Sequence, residues 1–166
     1  MNSKLVILTL LTCSLQACSQ QTNNNMDNSQ SQTPTQQSGT SQYRKLTPEE
    51  EYVIVDKGTE RPFTGKYVNT TATGVYVCKR CGKPLFTFKD KFPSECGWPS
   101  FDDAIPGAVL SQPDPDGERV EIECANCHAH LGHVFKGEHF TNKNTRYCVN
   151  SISMIFVPAD STAGTK

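Results

Sequence analysis

Six of the eight cysteines of this 166-residue chain fall between residues 78 and 148. Cys78-Lys-Arg-Cys81 and, after 42 intervening residues, Cys124-Ala-Asn-Cys127 form two C-x-x-C pairs. Each is followed by turn-forming residues, Gly82 and Pro84 for the first and Gly132 for the second. That is the spacing of two knuckles presenting four thiolates in a tetrahedron. Four thiolates close a zinc site and leave no open coordination position, so one structural Zn2+ is expected. Catalysis is thereby left to the two remaining thiols of the region, Cys96 and Cys148.

Cys148 sits in Thr145-Arg-Tyr-Cys-Val-Asn-Ser151. Read as a strand, with side chains alternating between faces, the segment puts Arg146, Cys148 and Asn150 on one surface. A neighbouring cation favours thiolate over thiol, which would lower the pKa of Cys148 and make it nucleophilic near neutrality. The segment by itself is equally compatible with an inert, buried cysteine.

The elements that must position these residues begin well into the chain. Lys4 followed by Leu5-Val-Ile-Leu-Thr-Leu-Leu11 reads as a signal peptide over residues 1–17, too short to span a bilayer. Leu15-Gln-Ala-Cys18 resembles a bacterial lipobox, which makes Cys18 a lipid anchor; an ordinary cleaved signal peptide is the alternative, and Cys13 is discarded either way. From Ser19 to Gln42, 20 of 24 residues are Gln, Asn, Ser or Thr, so residues 18–42 are expected to be a disordered tether reaching about 27 Å. The expected location is the bacterial cell envelope, on a membrane facing the periplasm. Ser19, in place of an Asp, favours the outer membrane. Residues 43–166 have the length of one domain, and a net charge of -1 argues against nucleic acid as a partner. An exported compartment also drives spare thiols towards disulfides.

Within that domain, Thr47-Pro-Glu-Glu50 offers an N-cap hydroxyl, proline at the first helical position and acids in the first turn, predicting a short helix from Pro48 to Val55. Beyond Gly58 the pattern turns to short β-rich runs: Gly74–Cys78, Pro84–Phe88, Arg119–Cys124, Leu131–Phe135 and Arg146–Val157. The expectation is a mainly β, mostly antiparallel fold. Val120 and Ile122 alternate with Arg119, Glu121 and Glu123, which predicts a strand with one wet face. Gln112-Pro-Asp-Pro-Asp-Gly117 reads as a turn. His139 and Met154 carry no signal separable from packing.

Cys96-Gly-Trp-Pro-Ser-Phe101, Ala129-His-Leu-Gly-His-Val-Phe135 and Arg146-Tyr-Cys-Val-Asn-Ser151, interleaved with the two C-x-x-C pairs, resemble the methionine sulfoxide reductase B family. Glu60-Arg-Pro-Phe-Thr-Gly65 is similar to its N-terminal segment, and the likeness runs from about Tyr43 to Val157. The resemblance implies two antiparallel β-sheets with the short helix and zinc knuckles, and reduction of methionine-R-sulfoxide, free or in proteins. By motif position it implies Cys148 as nucleophile and Cys96 as recycling thiol. It assigns Trp98, His130, His133 and Asn150 to the substrate pocket and Arg146 to its charged flank. One departure stands out: Glu95 occupies a position where a small residue such as Gly is expected.

The chemistry of a sulfoxide agrees with that assignment. An electrophilic sulfur with a poor leaving oxygen needs a soft nucleophile and a proton donor. Cys148 would supply the first and either His130 or His133 the second. Trp98 would give the S-methyl group an apolar wall, and Asn150 would orient a water or the developing hydroxyl. Cys148 is left as a sulfenic acid, which condenses with Cys96. The Cys96–Cys148 disulfide would then exchange with a thioredoxin-like dithiol, the enzyme acting as a monomer. Two rivals remain open on the sequence. Cys124-Ala-Asn-Cys127-His128 also fits the attachment motif of a c-type haem electron carrier, and the same scaffold could be a non-enzymatic zinc β-module.

Overall fold

The computed structural model describes residues 43–115 and 117–162. The expected signal peptide of residues 1–17, the expected anchor at Cys18 and the expected tether of 18–42 lie outside the described residues. The described chain is mainly β: one short helix and two antiparallel sheets, as expected.

Helix α1, Pro48–Ile54, starts as the sequence requires. The Thr47 hydroxyl accepts the Glu50 N–H at 3.3 Å, and the Glu50 carboxylate accepts the Thr47 N–H at 2.9 Å. This reciprocal cap contributes about 1 kcal/mol. Val55, expected inside the helix, is its C-cap, and Val53 and Ile54 are buried.

Strands β1 (Gly74–Cys78), β2 (Pro84–Thr87) and, much later, β9 (Met154–Pro158) form a three-stranded sheet in the order β2-β1-β9. The second sheet has six strands: β3 (Lys91–Phe92), β4 (Ser100–Phe101), β5 (Val109–Pro113), β6 (Val120–Cys124), β7 (His130–Lys136) and β8 (Thr145–Val149), ordered β3-β4-β8-β7-β6-β5. Aromatic rings join the two sheets. Phe86 of β2 stacks on Phe101 of β4 at 4.4 Å between centroids, and Tyr76 of β1 meets Phe101 edge-on at 5.0 Å. All three are fully buried, each contributing roughly 1.5–3 kcal/mol through burial. Met154 is core as well.

Four expectations change. The single run expected from Arg146 to Val157 is two strands in different sheets, divided by a 3-10 turn at Ser151–Ser153. Strands β3, β4 and β5 were not foreseen, the first two because two-residue strands carry no periodicity. The expected Gln112–Gly117 turn begins later, since Gln112 and Pro113 still pair with Glu121 and Val120. β5 is the sheet edge, where a proline costs no ladder bond. Finally, β6 has no wet face among its acids: Glu121 and Glu123 are buried while Val120 is exposed. Their charges are met inside the protein. Lys57 Nζ donates to Glu121 at 2.7 Å and to Glu123 at 3.0 Å, with Gln112 bonding both.

Candidate active site

The metal ligands expected from the sequence converge. Cys78 and Cys127 sulfurs lie 3.6 Å apart, Cys81 and Cys124 likewise 3.6 Å, and all four fall within 4.8 Å of one another. A disulfide would need about 2.05 Å, whereas thiolates about 2.3 Å from a tetrahedral ion stand about 3.8 Å apart. The donor set and its dimensions therefore fit one four-coordinate metal ion. The knuckles are built alike: Gly82 N–H donates to the Cys78 carbonyl and His128 N–H to the Cys124 carbonyl, both at 2.9 Å. Gly82 and His128 both have positive φ, 79° and 56°. His128, not Gly132 as expected, is thus the turn residue of the second knuckle. Its exposed ring contacts Glu123 at 3.3 Å. The haem reading loses its attachment pair, because Cys124 and Cys127 are shared with the first knuckle.

The spare thiols are brought together by strand register. Ser100 of β4 and His133 of β7 are the cross-strand neighbours of Cys148 in β8. The loop entering β4 then carries Cys96 over Cys148, with sulfurs 3.8 Å apart. Gly132 makes the β7–β8 approach possible: its φ is 149°, and a Cβ there would fall 2.1 Å from the Cys148 carbonyl oxygen. On the loop, Glu95 holds φ at 54°. This is a left-handed conformation, which explains why glycine is the natural expectation there.

Cys148 is expected to carry the lowered pKa; the hydrogen bonds around the pair favour the thiolate on Cys96 instead. Hydrogen bonds to Cys148, Ser100 and Ser94 hold Cys96 down to about 4 against its burial. The Ser94 and Ser100 hydroxyls stand 3.0 and 3.5 Å from its sulfur. The proton shared with Cys96, together with burial, pushes Cys148 well above an ordinary thiol, and Arg146 offsets this only in part. Arg146 is engaged by an acid as well as by this thiol. It is buried and grips Glu138 at 2.7 and 2.8 Å, its guanidinium 4.4 Å from the Phe135 ring centre.

A cavity of about 240 Å³ opens on Cys148, walled by Trp98, His133, Asn150, Gly132, Phe135, Thr59 and Arg119. Cys96 and Arg146 are not on that wall; Arg119 is the cation at its mouth. The Trp98 indole N–H donates to the Glu60 carbonyl at 2.9 Å. Asn150 lies just past β8, its Oδ1 accepting the Glu60 N–H at 3.0 Å and its amide donating to the Leu131 carbonyl at 3.2 Å. His133 Nε2–H donates to Asp114 at 3.0 Å; burial and Arg119 lower its pKa. His130 is set back from the wall and fully buried, donating from Nδ1 to Glu121 at 2.6 Å. Its ring centre is 5.5 Å from that of His133.

Asp114, Arg119, Ser94 and Ser100 were not found as site residues from the sequence. Asp114 was legible only as a turn residue. Nothing in the spacing marks Ser94, whereas Ser100 lies inside the Cys96–Phe101 motif.

A pair of thiols 3.8 Å apart beside a cavity, with a separate four-sulfur cradle able to hold a metal ion, defines the class of thiol oxidoreductases with metal-binding knuckles. The family is narrower than that class: residues 46–158 match the SelR domain, and the chain belongs to this family. "Peptide methionine sulfoxide reductase B3" of Arabidopsis thaliana is 51% identical over 128 residues, 76% of this chain and 73% of that protein. The "chloroplastic" B2 protein of Arabidopsis thaliana is 52% identical over 118 residues, covering 70% of this chain and 58% of its own length. The "chloroplastic" B3 protein of Oryza sativa subsp. japonica is 55% identical over 115 residues, covering 69% of this chain. The chain spans only about half the length of that rice relative, 50%.

Proposed function

We propose that the protein reduces methionine-R-sulfoxide, with Cys148 as nucleophile, Cys96 as recycling thiol and a thioredoxin-like dithiol as electron donor. One observation carries the assignment of roles: of the two cysteines, Cys148 is the one that lines the cavity shared by Trp98 and His133.

In this reading the S-methyl group rests on Trp98 and the sulfoxide oxygen faces His133. The proton on Cys148 passes to Cys96, 3.8 Å away, as the Cys148 sulfur attacks the sulfoxide sulfur. Imidazolium at His133, a stronger acid for its lowered pKa, protonates the oxygen, and methionine leaves with Cys148 as a sulfenic acid. The Cys96 thiol then attacks the Cys148 sulfur, expelling water and closing the Cys96–Cys148 disulfide. Two thiols of an external donor reopen it, becoming a disulfide themselves. Sulfoxide and dithiol thus yield thioether, disulfide and water.

Zn2+ is the metal proposed for Cys78, Cys81, Cys124 and Cys127, since four thiolates in a tetrahedron suit it. Bound there it would tie thiolates from both sheets and take no part in the redox steps. The lipoprotein reading of Cys18 and an envelope location rest on the N-terminal sequence alone. Among the described residues no helix is long and apolar enough to cross a membrane.

Epimer-resolved turnover with a dithiol donor, with zinc quantified on the same sample, tests the proposal. Consumption of the R epimer alone is expected. Activity on neither epimer would leave the non-enzymatic zinc module as the better reading.

A further inference from the structure

We propose that Glu60 is a positioning residue that holds two walls of the thiol cavity, Trp98 and Asn150, in register with Cys148. Its bearing on turnover rests on the reductase reading above; its bearing on the shape of the cavity does not.

Residue 60 lies in a stretch, 57–61, with no helix or strand of its own. It nevertheless meets both walls. Its carbonyl accepts the Trp98 indole N–H at 2.9 Å, and its N–H donates to Asn150 Oδ1 at 3.0 Å. Those are backbone groups and would serve equally from any residue, provided the segment stays in place. The side chain supplies the anchor: Glu60 Oε2 accepts the Ser151 N–H at 2.8 Å, at the turn that follows Asn150.

The neighbouring chain leaves room for this carboxylate. A Cβ at Gly65 would fall 2.8 Å from Glu60 Oε2 and 2.4 Å from Ser151 Oγ. Farther along the same segment, the Phe63 N–H donates to the Gly97 carbonyl at 2.7 Å, one residue past Cys96. The segment thus spans the site from Thr59 on the cavity wall to the loop that carries the second thiol. A carboxylate released from Ser151 would let residue 60 drift, and the indole and the carboxamide would lose their partners together.

Trp98 is the only tryptophan in the chain, so its emission reports the indole directly. Three substitutions separate the possibilities. Glu60→Gln keeps an acceptor at the same reach, Glu60→Asp keeps the charge but is one methylene short, and Glu60→Ala removes both. In the substrate-free protein, Asp and Ala are expected to move Trp98 emission to longer wavelength, while Gln stays with the wild type. With sulfoxide, KM should rise about tenfold for Asp and Ala with kcat within about threefold, and Gln should stay within about twofold on both.

Wild-type emission and KM in Glu60→Asp, or Glu60→Gln behaving as Glu60→Asp does, would overturn the proposal. The Asp and Gln pair decides the matter even if the Ala protein does not fold. A wild type inactive on both epimers would instead overturn the reductase reading, and the emission comparison would still stand.

Discussion

The two spare thiols lie 3.8 Å apart, and their proposed roles make distinct demands on each. Cys148→Ser should abolish methionine formation from the sulfoxide, measured by chromatography of a single turnover. Cys96→Ser should still yield about one methionine per enzyme, more slowly because the acceptor of the Cys148 proton is lost, and then stall, because no Cys96–Cys148 disulfide can form for the donor to reduce. The resting charge is tested by alkylation. With Cys96 held down to about 4, its thiolate is almost fully formed from about pH 5.5 upward. Iodoacetamide should therefore label it at a rate nearly flat between about pH 5.5 and 7.5, where an ordinary thiol gains about tenfold per unit. Peptide mapping that finds Cys148 labelled first would place the charge on the other sulfur. The identity of both cysteines was legible in the sequence. The distribution of charge between them was not, because it depends on the Ser94 and Ser100 hydroxyls and on Glu138, which shares Arg146 with Cys148. Of the two histidines left open as proton donors, burial separates them: His133 faces the cavity and His130 stands behind it.

At the scale of elements, the site depends on β4, β8 and β7 lying side by side, with Ser100, Cys148 and His133 in one row. Gly132 sets how closely β7 approaches β8. Gly132→Ala should cost about 3 kcal/mol or more through the clash with the Cys148 carbonyl. That corresponds to a fall in Tm of roughly 10 °C, read by far-ultraviolet circular dichroism. A Tm unchanged within error would mean that the two strands can part without penalty. The longer strands were visible in the sequence because their runs of β-branched and aromatic residues are bounded by Gly and Pro. β4 was not, although it carries Ser100, because a two-residue strand is defined by its partner and not by its own pattern. β6 misled for a different reason: Glu121 and Glu123 look like a solvated face until Lys57, brought in from a distant loop, bonds both. Acids in alternation mark a wet surface only when no cation is folded over them.

For the whole molecule, the sulfur quartet joins β1 of one sheet to β6 of the other. Stripping the ion with a strong chelator at neutral pH should therefore unfold more than a loop. Binding energy on the order of 10 kcal/mol accompanies a structural zinc, so a fall in Tm of at least about 10 °C is expected, reversed by added Zn2+. A chelated protein that melts as before would show that the aromatic core suffices to hold the sheets together. The metal ligands were the most legible part of the molecule, since two C-x-x-C pairs announce themselves by spacing. Residue 128 was the exception: its histidine suggested haem, yet it is the counterpart of a glycine in the other knuckle.

Three sulfurs of the quartet are buried, while Cys81 is partly exposed. A strong oxidant that overwhelms Cys96 and Cys148 would find its next accessible thiol there. Converting one thiolate to a sulfinate would weaken the grip on the ion and let the halves of the scaffold separate. The protein would then fail by corrosion at a rivet, and not at the thiol pair.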